Sequence, residues 1–273
     1  MLESYGNKTS SKNFIHFLHG NSLTPKSYDG LLKEINKISN INVFFFRPLW
    51  TKVKKPTFKN WDIFLDDYLL SIKDKKNIIG IGHSFGGNII LKAAMLYPEK
   101  FKKIILLDPT FFTPATILVW KLINAFNLQK YFLPLVKSAE RKKMNYLSME
   151  EMFAKYRNTK YFKNFNDAEL HFFLQSIVKK KNNKFNLIYP KKWDVRIYKK
   201  GLLNDFFIWK NLKNYNIETL IIRAENSDVF LKKTEDMVRS KNKKIQIKTI
   251  KKTDHMFPIN NVHKTFDLIN QFI

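Results

Sequence analysis

The chain has 273 residues, of which 44% are hydrophobic and 15% aromatic, enough for one large α/β domain or for a core with an insertion. It contains no cysteine, which excludes disulfide bonds, thiolate metal sites and cysteine nucleophiles. The formal net charge is +26, which would suit nucleic acid, an anionic membrane surface or acidic substrates. We interpret the excess lysine, spread along the whole chain beside abundant Asn, Ile and Phe, as a compositional bias on solvated faces. Because no RNA- or DNA-binding motif accompanies it, we expect no nucleic-acid partner.

The N-terminal segment is polar and lacks the apolar core of a signal peptide. No stretch has the run of about 18 or more apolar residues that a membrane span requires. The nearest candidate, residues 115–136, is interrupted by Lys121, Asn124, Asn127, Gln129 and Lys130. We therefore expect a cytoplasmic protein without a transmembrane segment.

The first part of the chain alternates short apolar runs with helical periodicity, which is typical of buried parallel strands joined by helices. The predicted elements are a loop or weak strand over 1–12, strands over 13–18 and 41–47, a helix over 25–38, a loop over 51–56, a helix over 57–72, a strand beginning at Ile78, a helix ending before Pro98, and a strand over 101–107.

The alternation stops after Pro109 and resumes near Asp205. Residues 110–204 are helical in pattern, aromatic and charged, and residues 137–200 carry 17 Lys plus Arg against 6 Asp plus Glu, a net charge of +11. The later predicted elements are a helix over 205–212, a strand over 219–223, a helix over 230–240, a strand over 245–250 and a helix over 261–272. The pattern predicts an α/β core of residues 1–109 and 205–273, with a mostly parallel sheet flanked by helices, and an inserted helical cap of residues 110–204.

One motif combines a strand, a tight turn and a helix. Residues 82–86 read Gly-His-Ser-Phe-Gly, directly after the Ile-rich strand, and fit G-x-S-x-G. A serine at the tip of such a turn leaves no room for side chains two residues away on either side, which explains both glycines. The turn predicts Ser84 as a nucleophile and places the Phe85 amide at the positive end of a helix, where it can bind an oxyanion.

A serine hydroxyl is a poor nucleophile at neutral pH and needs a base. His255 lies in a loop after the last predicted strand, and Asp228 lies in the loop after the strand over 219–223. The order Ser84, Asp228, His255 is the Ser…Asp…His order of a catalytic triad. Asp108 and Glu225 remain alternatives for the acid, and a turn cap before Pro109 is the non-catalytic interpretation of Asp108.

Three other histidines lie near the predicted site. We expect His19, after the first apolar strand, to brace the oxyanion loop, and His16, inside that strand, to be a core residue with a satisfied hydrogen bond. His83 occupies the variable position of the serine turn.

The motifs together resemble the α/β-hydrolase superfamily, in particular its capped, esterase-like serine hydrolases. The resemblance covers nearly the whole chain and rests on HGNS at 19–22, GHSFGG at 82–87, LLDP at 106–109, SDVF at 227–230 and DHMFP at 254–258. It implies an α/β-hydrolase fold whose helical cap follows the sixth strand. The family usually begins with an antiparallel hairpin, and the twelve residues before the first motif imply a shortened one.

The resemblance also implies a function. Ser84 is expected to cleave carboxylic esters of small to medium apolar acyl groups, with the Asn21 and Phe85 amides as the oxyanion hole. Leu23 and Met256 are expected to contact the substrate, and no cofactor or metal is expected. The alternatives are other acyl chemistry on the same triad (C–C bond, lactone or thioester hydrolysis, or acyl transfer), a non-catalytic ligand receptor on the same fold, and an anion or nucleic-acid binder that the positive charge would favour.

Overall fold

The computed structural model describes residues 2–6, 14–46 and 59–273. The loop predicted over 51–56 and the start of the helix predicted over 57–72 lie outside these residues. The main sheet contains the strands β1 Leu2–Tyr5, β2 Phe14–Leu18, β3 Asn40–Phe44, β4 Ile78–His83, β5 Phe101–Leu107, β9 Glu218–Ala224 and β10 Gln246–Ile250. A small second sheet contains β6 Asn145–Tyr146, β7 Val178–Lys181 and β8 Lys184–Leu187.

The main sheet has the order β1-β3-β2-β4-β5-β9-β10. All neighbouring pairs are parallel except β1 and β3, which are antiparallel. The prediction of a mostly parallel sheet is therefore confirmed. In the described residues a single edge strand, β1, precedes β2, so the shortened N-terminal hairpin has one strand there.

Helices of the core join these strands and cover both faces of the sheet. They are α1 Asp29–Asn36, α2 Asp62–Ser71, α3 Phe85–Leu96, α10 Phe206–Asn211, α11 Lys232–Lys241, α12 Phe257–Asn260 and α13 Val262–Phe272. Alternate residues of β5 bury into opposite layers: Ile104 and Leu106 lie in one hydrophobic cluster, and Ile105 and Leu107 lie in the other. This two-sided burial explains why the strand reads as a continuous apolar run.

The insertion lies between β5 and β9. It follows the fifth strand of the described residues rather than the sixth that the resemblance implied, because a single strand, β1, precedes β2 there. Its helices are α4 Pro114–Ala125, α5 Gln129–Phe132, α6 Pro134–Glu140, α7 Met149–Arg157, α8 Asp167–Ser176 and α9 Lys191–Lys200. The insertion is mainly helical, as predicted, but it also holds the antiparallel sheet β6-β8-β7, which the sequence pattern did not reveal. The reason is that β7 is lysine-rich and largely exposed, so it shows no buried run.

Across the described ranges, no helix is both long enough and apolar enough to cross a membrane.

Candidate active site

Ser84 lies at the tip of the turn between β4 and α3. Its backbone has φ 54° and ψ −119°, a conformation that non-glycine residues seldom adopt. Hydrogen bonds hold this conformation: the Ser84 amide donates to the Leu107 carbonyl at 3.0 Å, and the Thr110 amide donates to the Ser84 carbonyl at 3.1 Å. The turn is thus tied to the end of the neighbouring strand β5.

The two glycines of the motif are required by close backbone approach. A Cβ on Gly82 would lie 2.6 Å from the Gly86 carbonyl oxygen, and a Cβ on Gly86 would lie 2.3 Å from the Leu18 carbonyl oxygen. Both contacts are with backbone atoms, which cannot rotate away. The packing around Ser84 therefore requires glycine at both positions, as the motif predicted.

His255 contacts both Ser84 and a carboxylate. Its Nε2 lies 2.9 Å from Ser84 Oγ, and its Nδ1 lies 2.7 Å from Asp108 Oδ2. Because an ionised carboxylate only accepts, Nδ1–H donates to Asp108 and Nε2 is left to accept the Ser84 proton. This is the arrangement that a histidine general base needs.

The carboxylate on His255 belongs to Asp108, so the prediction of Asp228 in this position was wrong. Asp108 directly follows β5, which lies between β4 and β9 in the sheet. Its fully buried carboxylate also accepts from Ser227 Oγ at 2.8 Å and from the Ala224 amide at 3.1 Å. These donors come from the last residue of β9 and from the segment after it, and they fix the carboxylate toward His255.

Asp228 instead joins the core to the insertion. Its Oδ2 accepts a 2.7 Å hydrogen bond from the Tyr161 hydroxyl and lies 3.3 Å from Lys160 Nζ. Burial alone would raise the pKa of Asp228, but these two partners and His255 lower it below its ordinary value. Asp228 is thus an ionised group near His255 that makes no hydrogen bond to it.

Three carboxylates raise the pKa of His255. Burial lowers the pKa of the imidazole, but the hydrogen bond from Nδ1 to Asp108 and the charges of Asp108, Asp228 and Asp254 outweigh burial and raise it above its ordinary value. The surroundings therefore stabilise the imidazolium that forms when His255 takes a proton.

The predicted oxyanion donors, Asn21 and Phe85, line the same cavity as Ser84. Phe85 is the first residue of α3, so its amide has no acceptor within the helix. Asn21 follows β2 in the turn that contacts the same cavity as Ser84. No acceptor in the described part of the chain takes the amide hydrogen of either residue, so both amides are available to an oxyanion.

A buried hydrogen-bond chain connects the Asn21 turn to the His255 loop. The Gly20 amide donates to the Tyr28 hydroxyl at 2.9 Å, and that hydroxyl donates to His83 Nδ1 at 2.5 Å. His83 Nε2–H then donates to the His255 carbonyl at 2.9 Å. Burial, with the nearby charge of His255, lowers the pKa of His83 well below its ordinary value and keeps it neutral. The variable position of the motif thus carries a positioning residue that sequence reasoning had not assigned.

The insertion holds the Asn21 turn from the other side. Trp193 Nε1–H donates to Asn21 Oδ1 at 2.6 Å, and Asn21 Nδ2 donates to Asp194 at 3.2 Å. Asp194, which is buried, also accepts from Ser22 Oγ and from Lys142 Nζ. Sequence reasoning missed Trp193 and Asp194. The local signal for them was a large apolar side chain, Trp193, among the charged residues of α9, which indicates a buried contact.

The remaining predicted histidines behave as core residues. His19 Nδ1–H donates to the Gly20 carbonyl at 2.8 Å, and its Nε2 accepts from the Phe46 amide at 3.0 Å, which braces the turn as expected. Burial lowers the pKa of His19 and of His16 to about 4, so both are neutral. Within the residues that the structure describes, no group of three side chains is placed to hold a metal ion.

A cavity of about 1340 Å³ opens over Ser84 between the core and the insertion. Leu23 and Met256, the two predicted substrate contacts, both line it. Its other apolar walls include Phe112, Trp120, Phe132, Phe162, Phe173 and Val229. Its basic lining, all from the insertion, consists of Lys137, Arg141, Lys142, Lys143, Lys155 and Lys160. The arrangement can hold both an apolar acyl group and an anionic group in the cavity that Ser84 lines.

Residues 50–262 match a family model described as the alpha/beta hydrolase fold. Similar solved structures span nearly the whole chain. An E-2-(acetamidomethylene)succinate hydrolase aligns with TM-score 0.76 and 14% identity over 99% of this chain and 93% of its own. A hydrolase from Rickettsia typhi aligns with TM-score 0.74 and 19% identity over 99% and 90%. A third similar structure comes from a study of carboxylesterases of Nitrososphaera gargenis. It aligns with TM-score 0.71 and 15% identity over 100% of this chain and 93% of its own.

Among curated proteins, a type I acyl-CoA thioesterase from Penicillium brevicompactum is 31% identical over 109 residues. The match covers 33% of this chain and 25% of the relative. The chain therefore spans about a quarter of the length of the curated relatives that it matches.

Proposed function

Since the chain belongs to the α/β-hydrolase fold family, we propose that it is a serine hydrolase that cleaves carboxylic esters of small to medium apolar acyl groups. One observation carries this proposal: Ser84 Oγ, His255 and Asp108 form a continuous hydrogen-bonded line, with 2.9 Å and 2.7 Å separations, and Ser84 and His255 line the cavity.

The reaction runs through an acyl-enzyme. His255 Nε2 takes the Ser84 proton as Oγ attacks the ester carbonyl, and Asp108 holds the imidazole in the required tautomer. The amides of Asn21 and Phe85 donate to the oxyanion that forms. His255 then gives its proton to the leaving alcohol, and water, activated by the same histidine, releases the acid.

Ester hydrolysis by the purified protein tests this proposal. A series of p-nitrophenyl esters of increasing acyl length should give a maximum at short or medium chains. Ser84→Ala should lower turnover by about 10⁴-fold or more while leaving the melting temperature nearly unchanged. Turnover near that of the wild type in folded Ser84→Ala would exclude Ser84 as the nucleophile.

A thioester of an anionic carrier is the second candidate. It is favoured by the basic lining of the cavity, in which Lys137 and Arg141 have no ion-pair partner within the described residues, and by the local similarity to an acyl-CoA thioesterase. Phosphate groups bind such cations well. If acyl-CoA is the preferred substrate, kcat/KM should exceed that of the matched p-nitrophenyl ester, and Arg141→Gln should lower it only for acyl-CoA.

A further inference from the structure

The helix α4, at the start of the insertion, has an apolar outer face. Leu118, Val119, Leu122 and Phe126 follow one another at spacings of one, three and four residues and are all more than half exposed. Ile117, on the opposite side of the helix, is fully buried. A surface helix ordinarily has polar residues on its outer face, so this exposure needs an explanation.

The apolar surface continues beyond α4. Of the 17 large hydrophobic side chains that are exposed in the described residues, 8 lie within the 18-residue segment 118–135. We call these eight residues the apolar cap face: Leu118, Val119, Leu122, Phe126, Leu128, Tyr131, Phe132 and Leu135. Such a concentration is more than the scattered exposed residues of an ordinary surface.

The charge around this face has one sign. Residues 109–139 contain no Asp or Glu, whereas Lys121, Lys130 and Lys137 are all exposed there. Basic residues continue at Arg141, and residues 137–200 have a net charge of +11. A second copy of the chain would bring the same cations against this face, which opposes self-association. An anionic lipid surface would complement both the apolar side chains and the lysines.

The face also reaches the cavity over Ser84. Phe132 and Leu135 belong to the apolar cap face and line the cavity, as does Trp120 in α4. A lipid surface against the face would thus lie at the cavity opening. The helix α4 has 12 residues, too few to span a bilayer, so its geometry suits the membrane interface.

We propose that the apolar cap face docks the protein reversibly on anionic membrane surfaces, with Leu118, Leu122 and Phe126 inserted at the headgroup level and Lys121, Lys130 and Lys137 on the headgroup phosphates. The docking can be measured separately from hydrolysis, because the inserted residues Leu118, Leu122 and Phe126 do not line the cavity over Ser84.

Vesicle sedimentation tests the docking. The probes are phosphatidylcholine vesicles alone and vesicles containing about one-third phosphatidylserine. The wild type should sediment with the anionic vesicles, and less so as salt increases. Phe126→Asp and Leu122→Asp should each weaken the binding by about tenfold or more, since a charge replaces an inserted apolar group.

Leu70→Asp is the matched control. Leu70 is 69% exposed and Phe126 is 71% exposed, and Leu70 lies on α2, outside the insertion. Both substitutions remove one exposed apolar side chain and add one negative charge, and both should preserve the melting temperature. Leu70→Asp should bind like the wild type.

Three results would overturn the docking proposal. They are wild-type protein that does not bind anionic vesicles, equal binding by Phe126→Asp and Leu70→Asp, or a wild-type dimer in sedimentation velocity that Phe126→Asp dissociates. The last result would assign the face to a second copy of the chain. An inactive enzyme that still binds vesicles would leave the docking intact and count only against the proposed hydrolysis.

Discussion

Asp108 and Asp228, the two aspartates considered for the acid that orients His255, have different surroundings. Asp108 is fully buried and accepts from His255, Ser227 and the Ala224 amide, whereas Asp228 accepts from Tyr161 on the insertion. Both follow strands of the core sheet, whose carboxyl ends gather at one edge. The sequence therefore allows either residue to be the acid, and only the three-dimensional structure shows which one hydrogen-bonds to His255.

We predict that Asp108→Asn lowers the turnover of a short p-nitrophenyl ester by about 10⁴-fold, because an amide can hold His255 in the wrong tautomer. Asp228→Asn should lower it by less than about tenfold, since an amide oxygen can still accept from Tyr161. Steady-state assays of both variants, with melting temperatures as the folding control, measure the difference. The reverse ranking would return the acid to Asp228.

The raised pKa of His255 predicts the pH dependence. His255 must be neutral to accept the Ser84 proton, so kcat/KM should rise with pH, with a midpoint above the ordinary histidine value of about 6.5. Asp228→Asn removes a negative charge that favours the imidazolium, so it should move the midpoint to lower pH. Asp74 is a highly exposed carboxylate on the surface, so Asp74→Asn is the control. It should leave the midpoint of the pH profile unchanged. A midpoint that rises in Asp228→Asn would contradict the electrostatic account.

Among the elements, the β4–turn–α3 unit was the most predictable. Its signals lie within about twenty neighbouring residues: an Ile-rich run, two glycines around Ser84 and helical spacing up to Pro98. The helix predicted over 25–38 begins as a short 3₁₀ turn, Pro25–Tyr28, before α1. Boundaries moved by a few residues elsewhere because helix and strand ends depend on caps and packing as well as on periodicity.

The close backbone contacts around α3 predict different costs for two glycine substitutions. Gly86→Ala places a Cβ against the Leu18 carbonyl oxygen of β2, so the strand or the helix must move, and we expect a loss of about 3 kcal/mol of unfolding free energy. Gly80→Ala meets the Ile90 and Ile104 side chains, which can change rotamer, and should cost about 1 kcal/mol. Urea unfolding measures both, and equal losses would count against the backbone explanation.

The hydrogen bond from α9 to the Asn21 turn predicts a catalytic effect at a distance from Ser84. Trp193→Phe keeps an aromatic side chain but loses the indole N–H that donates to Asn21 Oδ1, so we expect kcat to fall by about tenfold with little change in KM, as an oxyanion donor is displaced. Trp209→Phe loses a comparable 2.8 Å bond to the Phe112 carbonyl, outside the triad and the Asn21 turn. It should cost similar stability, about 1 kcal/mol, and leave kcat unchanged. Equal kcat losses in the two variants would show that the effect is structural.

In the whole molecule, the parts of the site that sequence reasoning missed are long-range contacts. The Trp193–Asn21 hydrogen bond joins residues 172 positions apart, and the His255–Asp108 bond joins residues 147 positions apart. No periodicity or motif in the sequence indicates which loops come into contact in the folded protein. The mostly parallel sheet, the nucleophile turn and the place of the insertion along the chain, by contrast, follow from repeated local patterns and were predicted.

The insertion combines two surfaces with different chemistry. Its inner side supplies Trp193, Asp194 and Tyr161 to the core, and its outer side carries the apolar cap face. The lysine excess extends along the whole chain, but around that face it has no acid beside it, since Lys121, Lys130 and Lys137 are the charged residues from Pro109 to Ala139. The charge therefore has a local role in the docking that we propose.

Covalent labelling with a fluorophosphonate tests the central claim most directly, because the probe phosphonylates only an activated serine. Peptide mapping of the labelled wild type should give one adduct, on Ser84. Labelling should be absent in Ser84→Ala and slowed by orders of magnitude in His255→Ala and Asp108→Asn, but not in Asp228→Asn. An adduct on another serine, or labelling of Ser84 at the wild-type rate in both His255→Ala and Asp108→Asn, would contradict the assignment of the triad.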